Sequence, residues 1–159
     1  MRTASAVLLA LVLVACDRQP ETPRPPAPTT SIPFSIDGSL SFVRGADTLR
    51  TIAIEIADTD STRARGLMQR AQIPADTGML FVFEAADPQA FYMANTPHPL
   101  DIQFYAADST LLNVVENTVP YSFDNVLSDG DAQFVVEVAA GVSRRLGLVP
   151  GDRITWTTD

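Results

Sequence analysis

The stretch from Asn95 to Asp101 holds the densest set of side chains able to do chemistry in this sequence. Pro97 and Pro99 restrict the backbone, so the polar side chains around them start in a fixed arrangement. We therefore expect a shallow ligand pocket here, rimmed by aromatic residues. The predicted contacts are Arg70, Tyr92, Met93, Asn95, Thr96 and Asp101. The alternative is a structural loop, in which Asn95 and Thr96 bond their own backbone and Asp101 pairs with an arginine.

Three arginines surround one predicted helix: Arg63, Arg65 and Arg70. A guanidinium group binds carboxylate or phosphate through paired hydrogen bonds, so these residues are candidates for holding an anionic ligand. Arg70 is the preferred ligand contact. Arg63 is expected to pair with a carboxylate such as Glu137 or Asp101.

Methionine supplies a second hypothesis, a copper site formed by Met68, Met79, Met93 and His98. Thioethers select Cu(I), and an exported protein meets copper. This hypothesis requires the thioethers to converge at the surface. The competing interpretation is that the methionines fill gaps in the core.

A third hypothesis is a hydrolase or carbohydrate-active enzyme, in which Asp101 and either Glu116 or Glu137 act as acid and base. Such a pair must face one cleft about 5–10 Å apart. The sequence has no nucleophile elbow and no recognisable triad, so it assigns no catalytic residue. One cysteine and one histidine exclude a Cys/His zinc site. No cofactor is predicted.

Strand patterns dominate the part of the chain that must position these residues. The fold class predicted is mainly β, a small barrel-like mixed sheet of seven or eight short strands with two short helices. Alternating or continuous apolar runs mark the strands, which are Ser39–Arg44, Thr48–Ile56, Gly78–Glu84, Phe91–Asn95, Leu100–Tyr105, Leu111–Glu116, Gln133–Ala139 and Arg153–Thr157.

Two helices are predicted between these strands. The first follows a cap at Asp58 or Thr59 and runs to about Gln69. The second covers Val142–Leu146, and Gly147 ends it in a left-handed conformation.

The N-terminus predicts export and lipid attachment. Residues 1–15 resemble a signal peptide whose apolar run is too short to span a bilayer. Their end resembles a bacterial lipobox, with Cys16 at the position that is lipidated. Residues 16–33 form a proline-rich linker, and residues 34–159 form the folded domain. The predicted location is the extracytoplasmic side of the cell envelope, on either the inner or the outer membrane. Asp17 resembles an inner-membrane retention signal.

Charge excludes one class of partner. The chain has 19 acidic and 11 basic residues, for a net charge of −8, and every basic residue is arginine. Nucleic-acid binding needs a basic surface that displaces counterions from phosphate. The expected partners are therefore the membrane, through the lipid, and an unidentified small molecule or protein.

Several segments together resemble the DUF192 family of small prokaryotic domains without an assigned function, over about residues 52–156. The resemblance implies a single compact domain that is often exported. Two positions depart from the family pattern, because Tyr92 stands in place of Trp and Ala94 in place of Lys. His98 stands where an apolar residue is commoner. The segments that carry the resemblance are Glu55–Thr59, Arg63–Arg70, Gly78–Phe83, Phe91–Thr96, Pro99–Ile102, Val136–Val138 and Gly147–Asp152.

Overall fold

A computed structural model describes residues 32–159. The predicted signal peptide, Cys16 and the linker up to residue 31 lie outside the described residues. Seven strands and two helices follow one another along the chain: β1 (Gly38–Arg44), β2 (Asp47–Ala57), α1 (Asp60–Arg65), β3 (Thr77–Phe91), β4 (Leu100–Tyr105), β5 (Leu111–Val115), β6 (Val126–Ala139), α2 (Val142–Leu146) and β7 (Arg153–Thr158).

All seven strands form one curled sheet in the order β5-β4-β6-β3-β2-β1-β7. Only the β2–β3 pair is parallel, and the crossover between these strands carries α1. The two ends of the sheet approach each other where Thr110, next to β5, bridges to Arg153 of β7. The mainly β, barrel-like prediction is confirmed.

Both faces of the sheet bury apolar side chains. The concave face gathers residues from all seven strands into one core, among them Leu40, Ile52 and Val136. A second core lies on the outer face of β2, β3, β4 and β6, where Leu67 from the crossover and Met93 from the β3–β4 loop cover it. The outer core is therefore assembled partly from irregular chain, which is where a pocket can open.

Polar groups also fill part of the concave face, beneath α2. The carboxylate of Asp101 accepts hydrogen bonds from the backbone N–H groups of Asn117 (3.0 Å) and Ser143 (2.9 Å). Gln103 donates to the Ser143 hydroxyl (2.9 Å) and accepts from Tyr105 (2.8 Å). These bonds satisfy the buried polar groups and hold α2 against the barrel end.

Four predicted elements differ clearly from the structure. Two strands are longer than predicted, since β3 runs on to Phe91 and β6 begins at Val126. The first helix ends at Arg65, because Gly66 adopts a φ of 51° and the chain then turns. Phe91 is the last residue of β3, and the predicted strand from Phe91 to Asn95 is wrong beyond it. Asn95 takes a left-handed φ of 55°, outside the range of regular extended backbone. No helix within residues 32–159 is long and apolar enough to cross a membrane.

A buried ion pair joins the crossover to the sheet and to the start of the domain. Arg70, which is 0% exposed, donates two 2.9 Å hydrogen bonds to the carboxylate of Glu55. Its guanidinium also donates to the carbonyl of Pro33 and lies 4.7 Å from the ring centroid of Phe34. Arg70 therefore holds Pro33 and Phe34, near the start of the described residues, in place.

We expect Arg70→Ala to lower the free energy of unfolding by about 3–5 kcal/mol, because Glu55 would stay buried without its partner. Replacing both residues at once, as Glu55→Leu with Arg70→Met, should recover much of that loss. Urea unfolding followed by Trp156 fluorescence measures both changes. Arg50→Ala, at an exposed position of β2, is the matched control. Equal losses for Arg70→Ala and Arg50→Ala would contradict the assigned role.

Candidate functional site

A pocket of about 200 Å³ opens between the crossover and the outer face of the sheet. One side is formed by α1 and the turn that follows it, and the other by β3, β6 and the start of the β3–β4 loop. The residues that line it are Arg63, Ala64, Arg65, Gly66, Leu67, Met68, Phe81, Phe83, Gln89, Ala90, Phe91, Tyr92, Thr96 and Glu137.

Two acids lie in one row across the outer face, with very different surroundings. Strand register places Glu55 of β2 beside Met79 of β3, and Met79 beside Glu137 of β6. Both glutamates are buried. Glu55 is paired with Arg70, whereas no arginine lies within ion-pair distance of Glu137 among the described residues. The unpaired acid is the one that lines the pocket.

Only one of the two carboxyl oxygens of Glu137 has a hydrogen-bond partner among the described residues. The backbone N–H of Leu67 donates to it, but Oε2 has no hydrogen-bond partner within residues 32–159. Burial raises the pKa of Glu137 from 4.5 to about 8, against the opposing effect of the Leu67 hydrogen bond. The group is therefore protonated at neutral pH. The proton belongs on Oε2, since the N–H of Leu67 favours an unprotonated oxygen at the other position.

Gly66 lies over Oε2 and encloses it without a side chain. A Cβ at this position would lie 3.6 Å from Glu137 Oε2 and 3.3 Å from the ring of Phe81. Its positive φ also disfavours any residue with a side chain. The floor of the pocket is thus a protonated carboxyl beneath a glycine.

Aromatic rings form the apolar wall. Phe91 stands at their centre, with its ring centroid 5.0 Å from that of Phe81 and 6.4 Å from that of Phe83, both edge to face. Behind it, Phe104 lies at 5.9 Å. Edge-to-face rings pack rigidly, so the wall is a preformed surface for an apolar ligand body. Tyr92 stands at the mouth and is half exposed.

Two arginines occupy the rim, in different states. The guanidinium of Arg63 donates to the carbonyls of Asp58 and Val82 and to the carboxylate of Asp60, all at 2.7 Å. It pairs with neither Glu137 nor Asp101, so that prediction is wrong. The side chain of Arg65 is 47% exposed, and its nearest acid, Glu55, is 3.9 Å away. Arg65 therefore has donors to offer a ligand.

The structure brings only part of the predicted ligand set to this pocket. Tyr92 and Thr96 line it. Asn95 is exposed beside it, and its carbonyl accepts from the backbone N–H of Gln69 at 2.9 Å. Arg70 is enclosed by Glu55 and Phe34, away from the pocket. The predicted convergence on the Asn95–Asp101 loop therefore does not form.

Asp101 and Met93 also lie away from this pocket. Asp101 points into the barrel, where two backbone N–H groups hold it, so its predicted pairing with an arginine is wrong as well. Met93 lines a second, more apolar pocket on the 115–126 segment, and its sulfur accepts from the Thr118 hydroxyl at 3.2 Å.

The methionines do not meet the requirement of the copper hypothesis. Met79 and Met93 are each 1% exposed within the outer core, and Met68 is half buried. The ring of His98 contacts the carbonyl of Ala71 at 2.8 Å. Among the described residues, no group of three His, Asp or Glu side chains could hold a metal ion. A surface cluster of thioethers is not formed, because the outer core needs these side chains as filling.

The carboxylates do not meet the requirement of the hydrolase hypothesis. Strand register sets Ile102, not Asp101, beside Glu137, so the two acids point to opposite faces of the sheet. Glu116 is bound by Arg144 at 2.7 Å. No two of these three carboxylates therefore face one cleft as an acid and a base.

Sequence reasoning treated Glu137 only as a catalytic acid or an arginine partner, and it missed Gly66, Phe81 and Phe83 as pocket residues. One signal was present. Glu137 is the only charged residue in the apolar run of Phe134–Ala139, and an acid inside a buried strand needs either a partner or a function.

We expect the stability of this protein to fall as pH rises from about 4.5 to 8, relative to Glu137→Gln. In that range the folded state holds a proton on Glu137 that the unfolded state has lost, so raising the pH disfavours the fold. The slope should be on the order of 1 kcal/mol per pH unit, and flat outside the range. Urea unfolding at several pH values measures it, with Glu84→Gln, exposed on β3, as the control. Parallel curves for the wild type and Glu137→Gln would contradict the buried, unpaired state.

Comparison with known proteins places the chain in a family. Two solved structures share its fold. One, from Sinorhizobium meliloti 1021, is described as a candidate transcription regulator; it is 36% identical, covers 78% of this chain and 97% of its own, and gives a TM-score of 0.73. The other, a protein of unknown function from Novosphingobium aromaticivorans DSM 12444, is 32% identical over 74% of this chain and 84% of its own, with a TM-score of 0.71. Among curated proteins, none matches. The DUF192 family model, described as "Uncharacterized ACR", matches residues 42–156, and the chain therefore belongs to the DUF192 family.

Proposed function

We propose that this protein is a non-catalytic small-ligand-binding module, held at the cell envelope by a lipid on Cys16. The observation that carries the proposal is Oε2 of Glu137, a buried polar atom with no partner, at the floor of an aromatic-walled pocket. A buried polar group without a hydrogen bond lowers the stability of the fold, so its presence calls for a functional explanation. A ligand that bonds to Oε2 is the simplest explanation.

Binding without catalysis is favoured by the composition of the pocket. Glu137 is the one acid among the lining residues, and no histidine, serine or cysteine accompanies it. General acid–base hydrolysis by carboxylates uses two such groups in one cleft. A single protonated carboxyl between apolar walls suits recognition, because it supplies one directed hydrogen bond.

A regulator role through DNA is not proposed, although the Sinorhizobium meliloti relative is described as a candidate transcription regulator. The net charge of −8 opposes binding to a polyanion. The resemblance of the segment ending at Cys16 to a lipobox also favours a place at the membrane rather than at the chromosome.

The proposal can be tested by thermal unfolding of the full chain in lipid nanodiscs against amines, carboxylates, sugars, nucleotides, dipeptides and metals. A true ligand at a hundred times its Kd should stabilise the folded state by about 2.7 kcal/mol and raise Tm. Ala64→Trp should abolish the shift, because Ala64 lines the pocket on the exposed side of α1.

The matched control is Ala107→Trp, an equal increase in size at an exposed turn outside the pocket. It should keep the full shift. A ligand that stabilises both tryptophan variants equally binds elsewhere, and a screen without any stabilising compound would tell against a small-ligand function.

Lipid attachment gives a separate prediction. In a bacterial host, the wild-type chain should incorporate radiolabelled palmitate and sediment with membranes, because several ester- and amide-linked acyl chains on one cysteine anchor firmly. Cys16→Ser should lose both the label and the sedimentation. Ser5→Ala, inside the predicted signal peptide, is the control that should change neither. Equal membrane association of wild type and Cys16→Ser would exclude the lipid anchor.

A further inference from the structure

We propose that the pocket takes a small monocarboxylate whose body is one aromatic ring or a branched apolar group of that size, held by Glu137 and Arg65. The inference rests on the binding function proposed above and names the chemical class of its ligand.

The charge of the lining selects the sign of the ligand. With Glu137 protonated, the lining side chains carry the two positive charges of Arg63 and Arg65 and no negative charge. Arg63 is neutralised in part by Asp60, which bonds it at 2.7 Å. Arg65 keeps most of its hydrogen-bonding capacity, since its single acidic neighbour is 3.9 Å away. A guanidinium in that state binds carboxylate, and it repels an ammonium group.

Glu137, at the floor of the pocket, favours a ligand that carries a hydrogen-bond acceptor. Protonated Glu137 offers the Oε2 hydroxyl as a donor, and no acceptor among the described residues takes it. A ligand carboxylate satisfies this donor with a charge-assisted hydrogen bond, which is stronger than a bond between neutral groups. Gly66, adjacent in the chain to Arg65, covers Oε2 with backbone alone, so a small displacement of this turn exposes the hydroxyl to the pocket. In the proposed complex one carboxylate accepts from Oε2 of Glu137 and from Arg65 together.

The wall and the volume select the body of the ligand. Phe81, Phe83 and Phe91 present ring edges and faces that favour an apolar partner. An engineered apolar cavity of about 150 Å³ holds benzene. The roughly 200 Å³ available here therefore accommodates one ring with a carboxylate attached, and excludes two-ring ligands from full entry.

Affinity should depend on pH through Glu137. The charged groups that face it from the covering elements are Arg63 and Arg65, at the end of α1. Within its own row, Glu55 lies two strands away across Met79 and is paired with Arg70, while Ile102 on β4 is apolar. Above pH 8 Glu137 loses the donor proton and becomes an anion next to the ligand. Carboxylate affinity should then fall by about tenfold per pH unit.

The test is isothermal titration calorimetry on the full chain in zwitterionic nanodiscs, with empty nanodiscs as the blank. The probes are benzoate, benzylamine and benzyl alcohol, which share one ring and differ in charge. We expect benzoate to bind most tightly at pH 6.5 and much more weakly at pH 9.5. Arg65→Gln should weaken benzoate binding about 10- to 100-fold. Arg50→Gln removes an equal charge outside the pocket and should leave the affinity unchanged.

The variant Glu137→Gln keeps a hydrogen-bond donor at this position but removes the group that titrates. The amide keeps an N–H donor at every pH, so benzoate should still bind and the loss above pH 8 should disappear. Preference for benzylamine, or equal binding of benzyl alcohol and benzoate, would overturn the ligand class and leave the binding function standing. Absence of binding by all three probes would also overturn the class. The binding function itself fails only if the broad thermal screen is silent as well.

Discussion

Two buried glutamates on the outer face of the sheet determine how the crossover between β2 and β3 packs against that sheet. Glu55 and Glu137 lie in one row on either side of Met79, and the crossover that carries α1 docks onto both. Glu55 binds the side chain of Arg70, whereas Glu137 accepts only the backbone N–H of Leu67. Because buried carboxyl groups are costly unless they are bonded, the crossover has few other positions in which it could settle.

The two acids have different partners, and their roles differ accordingly: Glu55 contributes to stability, and Glu137 belongs to the candidate site. The Glu55–Arg70 pair satisfies both charges and draws the start of the domain against the sheet through Phe34. Glu137 is left with one oxygen unsatisfied under Gly66, next to rigid aromatic rings. Local rules of polar satisfaction hold through the barrel interior, where Asp101, Gln103 and Tyr105 all have partners. Within residues 32–159 two buried side-chain atoms lack a hydrogen-bond partner, Arg70 Nε and Glu137 Oε2, and of these residues Glu137 alone lines the pocket. Such departures are where a functional site is expected.

Much of the fold could be predicted because strand patterns are local. Alternation in β2 and the apolar run of β3 predicted both strands, and Gly147 ends α2 in the left-handed conformation that was expected. At Gly66 the backbone conformation of one residue overrode the pattern and ended α1 early. The strand predicted over Phe91–Asn95 is not formed beyond Phe91, where β3 ends. The site was less predictable. Arg70 and Arg65 have the same chemistry in sequence, yet Arg70 is buried against Glu55, whereas Arg65 is half exposed at the rim and 3.9 Å from the same carboxylate.

By itself, the sequence determined the fold class and the family, because these follow from periodicity and motif order. It also limited the possible sites to a few arginines, acids and aromatic residues. Only the tertiary structure decided which of these meet. The register of β3 against β6 turned Glu137 to the outer face, and that of β4 against β6 turned Asp101 to the inner one. The crossover then brought Gly66 over Glu137. Partners so far apart along the chain are chosen by packing, since a one-residue shift in register would exchange the two faces.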